Sequence, residues 1–232
     1  PGGGGASGAR TTASSESALV HAVEQLGGAA EFDVLVFVQC TSPFVDPADL
    51  VEAVRLVRAG EFDSVFSAAP DEVFLWADDG SGNLVGVNHD RTTRPRRQDR
   101  AVQLGETGAF YVMRVDGFLA GRHRFFGRVG AVTVDPLGAV EIDRPDDVDV
   151  AAALAPLVAR RTPPADAARW QRIRAVVTDF DGVHTDDSAY LDQDGVETVR
   201  VSRADGMGVG LLRAAGVTVM ILTTERNPVV AR

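Results

Sequence analysis

The feature that most constrains the fold is a recurring run of consecutive apolar residues that is followed by polar residues and then by a helical pattern. The runs at residues 33–39 (DVLVFVQ) and 64–69 flank a helix that Asp46 and Pro47 begin and Gly60 ends. A short, continuous apolar run is typical of a strand buried on both faces. Strand, helix and strand in this order predict an α/β fold with a parallel, right-handed crossover.

The same pattern restarts after Pro163 and Pro164. Because a proline pair ends a helix and marks a loop, we predict a first domain over residues 1–162, a linker over 163–172 and a second α/β domain over 173–232. In the first domain the patterns predict a helix from residue 14 or 15 to 26, a hairpin over 73–87, strands over 106–113 and 128–134, and a helix over 146–161. In the second they predict strands over 173–180 and 217–222, with a hairpin over 190–201 and a helix over 205–215 between them.

Composition excludes several classes of function. The 232 residues carry 33 acidic and 23 basic side chains, and the formal net charge of −10 disfavours binding to duplex nucleic acid. No run approaches the roughly 18 apolar residues that a membrane helix needs. Cys40 is the only cysteine, so an internal disulfide and a cysteine-rich zinc site are excluded. No signal-peptide pattern opens the chain, and we therefore expect a cytoplasmic protein with no nucleic-acid or membrane partner.

The sharpest motif is the end of the strand over 173–180, which reads Asp179-Phe180-Asp181-Gly182. Residues two apart on a strand share a face, so both carboxylates could address one phosphate and one Mg²⁺ at the carboxyl edge of a parallel sheet. Asp179 could then attack phosphorus while Asp181 protonates the leaving oxygen. The alternative is a strand end capped by the turn-forming residues aspartate and glycine.

From about Ile173 onward, the sequence resembles the capless sugar-acid phosphatases of the haloacid dehalogenase superfamily, which have a Rossmann-like fold. The resemblance implies that Asp179 is the nucleophile and Asp181 the acid/base. It also implies that both aspartates hold Mg²⁺ and that Thr223 binds the transferring phosphate. The family's lysine and acidic pair would lie beyond residue 232, so we do not expect the chain as given to be a competent phosphatase.

Three polar segments of the first domain also suggest a binding site. Gln39-Cys40-Thr41-Ser42-Pro43 follows a buried strand, Arg96-Arg97-Gln98-Asp99 occupies a loop, and Glu141-Ile142-Asp143 places two carboxylates on one strand face. Guanidinium groups suit the recognition of a carboxylate or phosphate, and paired carboxylates suit Mg²⁺. Each segment also has a plain structural alternative: a turn, a solvated loop and the start of a helix, respectively.

Taken in order, and together with Thr107-Gly108-Ala109-Phe110-Tyr111, these segments resemble the acylneuraminate cytidylyltransferases over about residues 11–155. The resemblance implies a three-layer α/β nucleotidyltransferase domain of the nucleotide-diphospho-sugar transferase type. Such a domain transfers CMP from CTP to a sialic (nonulosonic) acid, releases pyrophosphate and is part of a homo-oligomer. The implied site residues are Glu141 and Asp143 for Mg²⁺, and Gln39, Thr41, Ser42, Arg97 and Gln98 for substrate.

Some members of that family carry a phosphatase-like domain at the carboxyl end, which suits the order of the two resemblances here. The family's basic, glycine-rich loop for the CTP phosphates is not found in residues 1–10, so we expect this chain to be the central part of a longer protein. Cys40 and Glu141 depart from the proline and aspartate usual in the family. Two alternatives stay open: a Mg²⁺-dependent nonulosonate-9-phosphate phosphatase, and a phosphatase-like domain that serves only assembly.

Overall fold

The protein is described by a computed structural model at residues 15–93, 95–159, 173–194 and 196–223, except for the side chains at positions 97 and 187. It divides into two compact units, which we name the central unit (Val34–Gly117 and Phe125–Ala165) and the terminal unit (Pro1–Asp33, Phe118–Arg124 and Asp166–Arg232). The linker predicted at 163–172 lies outside the described residues.

In chain order the elements are α1 Ser15–Gln25, β1 Val34–Val38, α2 Pro47–Arg58, β2 Ser64–Asp71, β3 Trp76–Asp78, β4 Leu84–Gly86, β5 Gln103–Arg114, α3 Val115–Gly121, β6 Val129–Thr133, α4 Pro145–Ala159, β7 Ala175–Thr178, β8 Thr185–Leu191, β9 Glu197–Val201, α5 Arg203–Ala214 and β10 Thr218–Ile221.

The central unit is built on a four-stranded mixed sheet with the strand order β1-β5-β2-β6. Strand β5 runs antiparallel to both of its neighbours, whereas β2 and β6 are parallel. Val112 lies opposite Val36 on one side and Val65 on the other, and it is completely buried. The fold is therefore α/β with both parallel and antiparallel pairing, and the deeply buried run at residues 110–113 lies on an interior strand.

This strand order differs from the simple crossover that the sequence suggests. Strands β1 and β2 do run in the same direction, but β5 lies between them. The reason is burial: Phe110, Tyr111, Val112 and Met113 are each at most 4% exposed, and only an interior strand covers such a run on both faces and both edges.

Helix α2 begins and ends as its sequence predicts. The Asp46 carboxylate accepts a hydrogen bond from the Ala48 amide at 2.8 Å, and Pro47 occupies the first helical turn. Ala53 and Val57 are buried in one cluster with Val65, Phe110 and Val112 of the sheet. The helix thereby covers one face of the sheet and fixes the orientation of the turn that precedes it.

The terminal unit contains two separate strand pairs. Strands β7 and β10 are parallel, with Thr178 opposite Ile221, while β8 and β9 form an antiparallel hairpin. Ser202 caps α5 by accepting a hydrogen bond from the Asp205 amide at 3.3 Å. Parallel pairing of β7 and β10 brings their carboxyl ends to the same edge. Within the described ranges, the structure has no helix long and apolar enough to cross a bilayer.

Candidate functional site

The turn after β1 is held by backbone hydrogen bonds. The Gln39 amide donates to the Ala109 carbonyl of β5 at 3.1 Å, and the Ser42 amide donates to the Gln39 carbonyl at 3.2 Å. Ser42 is only 6% exposed, and its Oγ has no hydrogen-bond partner among the described residues. A buried hydroxyl without a partner is costly, so this turn holds a polar group that a ligand could satisfy.

The segment that carries the two predicted metal ligands lies directly against this turn. The Ile142 amide donates to the Thr41 carbonyl at 2.8 Å, which fixes Glu141 beside Gly108 of β5. Gly108 has a φ of +69°, and a Cβ built there would overlap the Glu141 carboxylate and lie 3.1 Å from Gln39 Oε1. The structure thus brings Gln39 and Glu141 together around one glycine, with the Thr41 backbone bonded to the residue that follows Glu141.

The electrostatic environment of Glu141 is strongly acidic. Burial raises the pKa of Glu141, and the negative charges of Asp143 and Glu106 raise it further. The Tyr111 hydroxyl donates a hydrogen bond to Glu106. Since like charges this close repel each other, a cation here would relieve an unfavourable arrangement.

The carboxylates of Glu141 and Asp143 fit Mg²⁺, which prefers oxygen ligands and is usually bound through one or two carboxylates plus substrate phosphates. Glu141 is half-buried, and Asp143 is exposed at the start of α4, where its amide donates to the Asp147 carboxylate at 3.0 Å. Across the described ranges, no group of three or more His, Cys, Asp or Glu side chains is arranged to hold a metal ion. Glu141 and Asp143 therefore suit a cation whose coordination is completed by substrate.

The arginine-rich segment is placed differently. One turn of 3-10 helix spans Arg97–Asp99. Arg96, which precedes this turn, donates from Nε to Asp99 Oδ2 at 2.7 Å. The side chain of Arg97 lies outside the described residues. Gln98 is exposed, and no described hydrogen bond joins it to Gln39 or Glu141. Over its described side chains, no hydrogen bond joins this segment to the other predicted substrate residues.

Sequence reasoning used Thr107–Tyr111 of β5 only as part of a family resemblance. It assigned no role to Glu106, Gly108 and Tyr111, nor to the buried hydroxyls of Ser67 and Thr107. One available signal was Gly108 itself, because a glycine within a strand pattern often marks a bulge or a close backbone approach. The network that Ser67 and Thr107 form has no sequence signature.

In the terminal unit, the predicted phosphatase residues lie at one sheet edge. The Leu222 amide donates to the Thr178 carbonyl at 2.8 Å, so Asp179 and Thr223 both follow directly on the paired strands. Phe180 is 2% exposed, and its amide donates to Asp179 Oδ1 at 2.7 Å. Asp181 follows in a turn that ends near His184, whose Nε2 lies 2.8 Å from Thr178 Oγ1. His184 is a further residue that sequence reasoning did not single out.

Three curated proteins with similar sequences are all named N-acylneuraminate cytidylyltransferase. No protein-family model matches the chain. N-acylneuraminate cytidylyltransferase A of Danio rerio is 30% identical over 201 residues, which are 84% of this chain and 45% of that protein. The enzyme of the same name from Oncorhynchus mykiss is 28% identical over 204 residues, and the B form of Danio rerio is 25% identical over 201 residues. These alignments cover 85% of this chain and 45% and 46% of the two proteins, so the chain spans less than half the length of the curated relatives it matches.

Two solved structures resemble parts of the chain. A HAD family hydrolase from Streptomyces avermitilis MA-4680 is 58% identical over 25% of this chain and 34% of its own, with a TM-score of 0.25. The 4-diphosphocytidyl-2C-methyl-D-erythritol synthase from Anaerococcus prevotii DSM 20548 aligns with 62% of this chain and 68% of its own at 12% identity, with a TM-score of 0.46. At these TM-scores, neither likeness assigns a fold.

The extent of the sequence matches is informative. An alignment that covers 84% or 85% of the chain cannot be confined to either side of the linker predicted at 163–172. It must include the turn after β1, the Glu141–Asp143 segment and strand β7. The chain is therefore similar, on both sides of its predicted linker, to proteins named N-acylneuraminate cytidylyltransferase.

Proposed function

We propose that the chain is part of a Mg²⁺-dependent nucleotidyltransferase that transfers CMP from CTP to a sialic or related nonulosonic acid and releases pyrophosphate. The names of the curated relatives support this reaction. The observation that carries it is the convergence of Gln39 and Glu141 at Gly108, where the Thr41 carbonyl holds the backbone beside Glu141. We further propose that the central unit is of the nucleotide-diphospho-sugar transferase type and that β7 to β10 begin a Rossmann-like haloacid dehalogenase domain.

Different residues of the central unit bind the substrate and the metal ion in this reaction. The side-chain amide of Gln39 and the Ser42 hydroxyl orient the substrate at the turn after β1, while Arg97 and Gln98 bind the carboxylate of the sugar acid. Glu141 and Asp143 would hold Mg²⁺, which neutralises charge on the phosphates of CTP. The anomeric hydroxyl oxygen gives up its proton to solvent and forms a bond to the α-phosphorus as the bond to pyrophosphate breaks, so the main contribution of these side chains is positioning.

The test is pyrophosphate release from CTP, Mg²⁺ and N-acetylneuraminate by the complete gene product. We expect Asp143→Asn to reduce the rate about 100-fold or more, because loss of even an outer-shell group at a metal site costs about 10- to 100-fold. The matched control is Asp149→Asn, an exposed carboxylate on α4 that makes no described hydrogen bond. Full activity in Asp143→Asn would contradict the metal role, and a wild type that is silent with several nonulosonic acids would overturn the proposed function.

A second candidate function rests on the edge formed by Asp179, Asp181 and Thr223. Their arrangement after two parallel strands favours Mg²⁺-dependent hydrolysis of a nonulosonate 9-phosphate. The same preparations distinguish it: phosphate release that Asp179→Asn abolishes and Asp143→Asn leaves intact assigns this activity to the second domain. Glu197→Gln, at an exposed position of β9, is the control.

A further inference from the structure

The pairing of β2 with β5 shifts register between Phe66 and Ala68. Phe66 lies opposite Tyr111 and Ala68 lies opposite Glu106, so five steps along β5 correspond to two steps along β2. In a regular strand, residues five apart point to opposite faces. Here the Tyr111 hydroxyl donates to Glu106, which shows that the extra residues turn both side chains toward each other.

Two buried hydroxyl groups hold this bulge. Ser67 is 0% exposed, and its Oγ accepts hydrogen bonds from the Phe110 amide at 3.0 Å and the Thr107 hydroxyl at 2.8 Å. The Ser67 hydroxyl in turn lies 3.3 Å from the Phe110 carbonyl, to which it donates. These bonds replace the backbone ladder that is lost where the register shifts, and they satisfy polar groups that would be costly to bury alone.

The bulge also shapes the central site. Its residues between Thr107 and Phe110 are Gly108, which faces Gln39 and Glu141, and Ala109, whose carbonyl accepts the Gln39 amide. The backbone position of both site residues therefore depends on the conformation that Ser67 and Thr107 hold. Bulges are frequent beside active sites because they re-aim side chains in this way.

We propose that Ser67 and Thr107 are positioning residues of the Gln39–Glu141 site, acting through the bulge of β5 rather than by contact with substrate. The proposal rests on the proposed function, because it assumes that this site binds the cation and the sugar acid. It goes beyond that function by naming two residues, on β2 and β5, on which the site geometry depends. A displacement of about 1 Å in such a site can cost about 100-fold in rate.

The first readout is direct binding of Mn²⁺, a spectroscopic substitute for Mg²⁺, to the complete gene product and its variants. We expect Ser67→Ala and Thr107→Val to weaken Mn²⁺ binding about 10-fold. Ser64→Ala is the matched control, because Ser64 is on the same strand, is 2% exposed, and its hydroxyl donates a long hydrogen bond of 3.4 Å to the Phe126 carbonyl. Thr107→Ser, which keeps the hydroxyl, should recover most of the binding.

The second readout separates positioning from general destabilisation. Thermal unfolding is measured for all variants, and kcat and KM for the sugar acid are measured by pyrophosphate release. The proposal predicts a fall in kcat/KM of about 10-fold or more for Ser67→Ala, but less than about twofold for Ser64→Ala at a similar loss of thermal stability. If the Ser67 and Ser64 variants bind Mn²⁺ equally well, the positioning role is wrong. If the wild type transfers no CMP while the Mn²⁺ pattern holds, the positioning role stands and the proposed function fails.

Discussion

Gly108 is the residue whose backbone most directly limits what can stand in the central site. At its φ of +69°, a residue with a side chain is strained at a cost of about 1–3 kcal/mol, and a Cβ there would overlap the Glu141 carboxylate. We expect Gly108→Ala to lower the free energy of unfolding by about 1–3 kcal/mol and to abolish most pyrophosphate release. Urea unfolding and the transfer assay measure the two effects.

Gly105 provides the matched control on the same strand. A Cβ at Gly105 would make ordinary van der Waals contact with the Asp71 Cβ at 3.5 Å, and no positive φ is required there. Alanine at position 105 should change the free energy of unfolding by less than about 1 kcal/mol. Equal losses of stability and activity at positions 105 and 108 would show that the special conformation of Gly108 is unimportant.

At the scale of residues, part of the site follows from sequence and part does not. The turn at Gln39–Ser42 was predictable because polar residues that follow a buried strand collect at the sheet edge. The placement of Glu141 and Asp143 on a strand was wrong, because this segment is irregular and leads into α4, and the bond from the Ile142 amide to the Thr41 carbonyl sets it beside the turn. Whether they bind substrate and Mg²⁺ stays a prediction. The roles of Gly108 and Ser67 depend on which strand pairs with which, and that pairing is long-range information.

At the scale of elements, local signals were reliable and neighbour relations were not. The Asp46 cap and Pro47 correctly predicted the start of α2, and the hairpin β3–β4 was confirmed within its predicted range. The short helix α3 was missed for two reasons. Its residues, Val115–Gly121, show no capping pattern, and two of them are glycines, which disfavour a helix. The insertion of β5 between β1 and β2 was missed because an apolar run predicts a buried strand without saying which strands flank it.

An ion pair connects helix α1 to Arg124 within the terminal unit. Arg124 Nε lies 2.7 Å from Glu16 Oε1, and the two side chains are only 14% and 18% exposed. The hydrogen bond from Arg124 is the main cause that lowers the pKa of Glu16 below its ordinary 4.5. A lowered pKa in the folded state stabilises the fold above pH 4.5, and this contribution is lost as the pH falls through the pKa of the folded protein.

We therefore expect Glu16→Gln to cost about 1 kcal/mol at pH 7 and to cost progressively less as the pH falls below 4.5. Urea unfolding of wild type and variant over this pH range measures the difference. Glu24→Gln, at an exposed position on the same helix, is the control and should change the free energy of unfolding by less than about 0.5 kcal/mol. A Glu16→Gln deficit that stays constant down to low pH would contradict the ion-pair explanation.

At the scale of the whole molecule, strand β5 and the stretch 173–223 differ sharply in how much of their structure is buried. In β5, Phe110, Val112 and Met113 are each at most 1% exposed, and the strand is hydrogen-bonded on both sides. Over the described stretch 173–223, Phe180 is the one buried hydrophobic residue, and β7 is paired in a sheet of two strands. Local stability follows buried apolar contacts and the number of flanking hydrogen-bonded strands.

This contrast predicts uneven hydrogen exchange in the 232-residue chain. The amides of residues 110–113 should exchange at least about 100-fold more slowly than those of residues 176–178, because opening β5 disrupts the central sheet whereas opening β7 breaks one strand pair. Exchange followed by mass spectrometry over peptides from the two strands measures the ratio, with the exposed hairpin β3–β4 as the fast reference. Equal protection of β5 and β7 would mean that the two units unfold as one cooperative structure, and the difference in burial would then not control their stability.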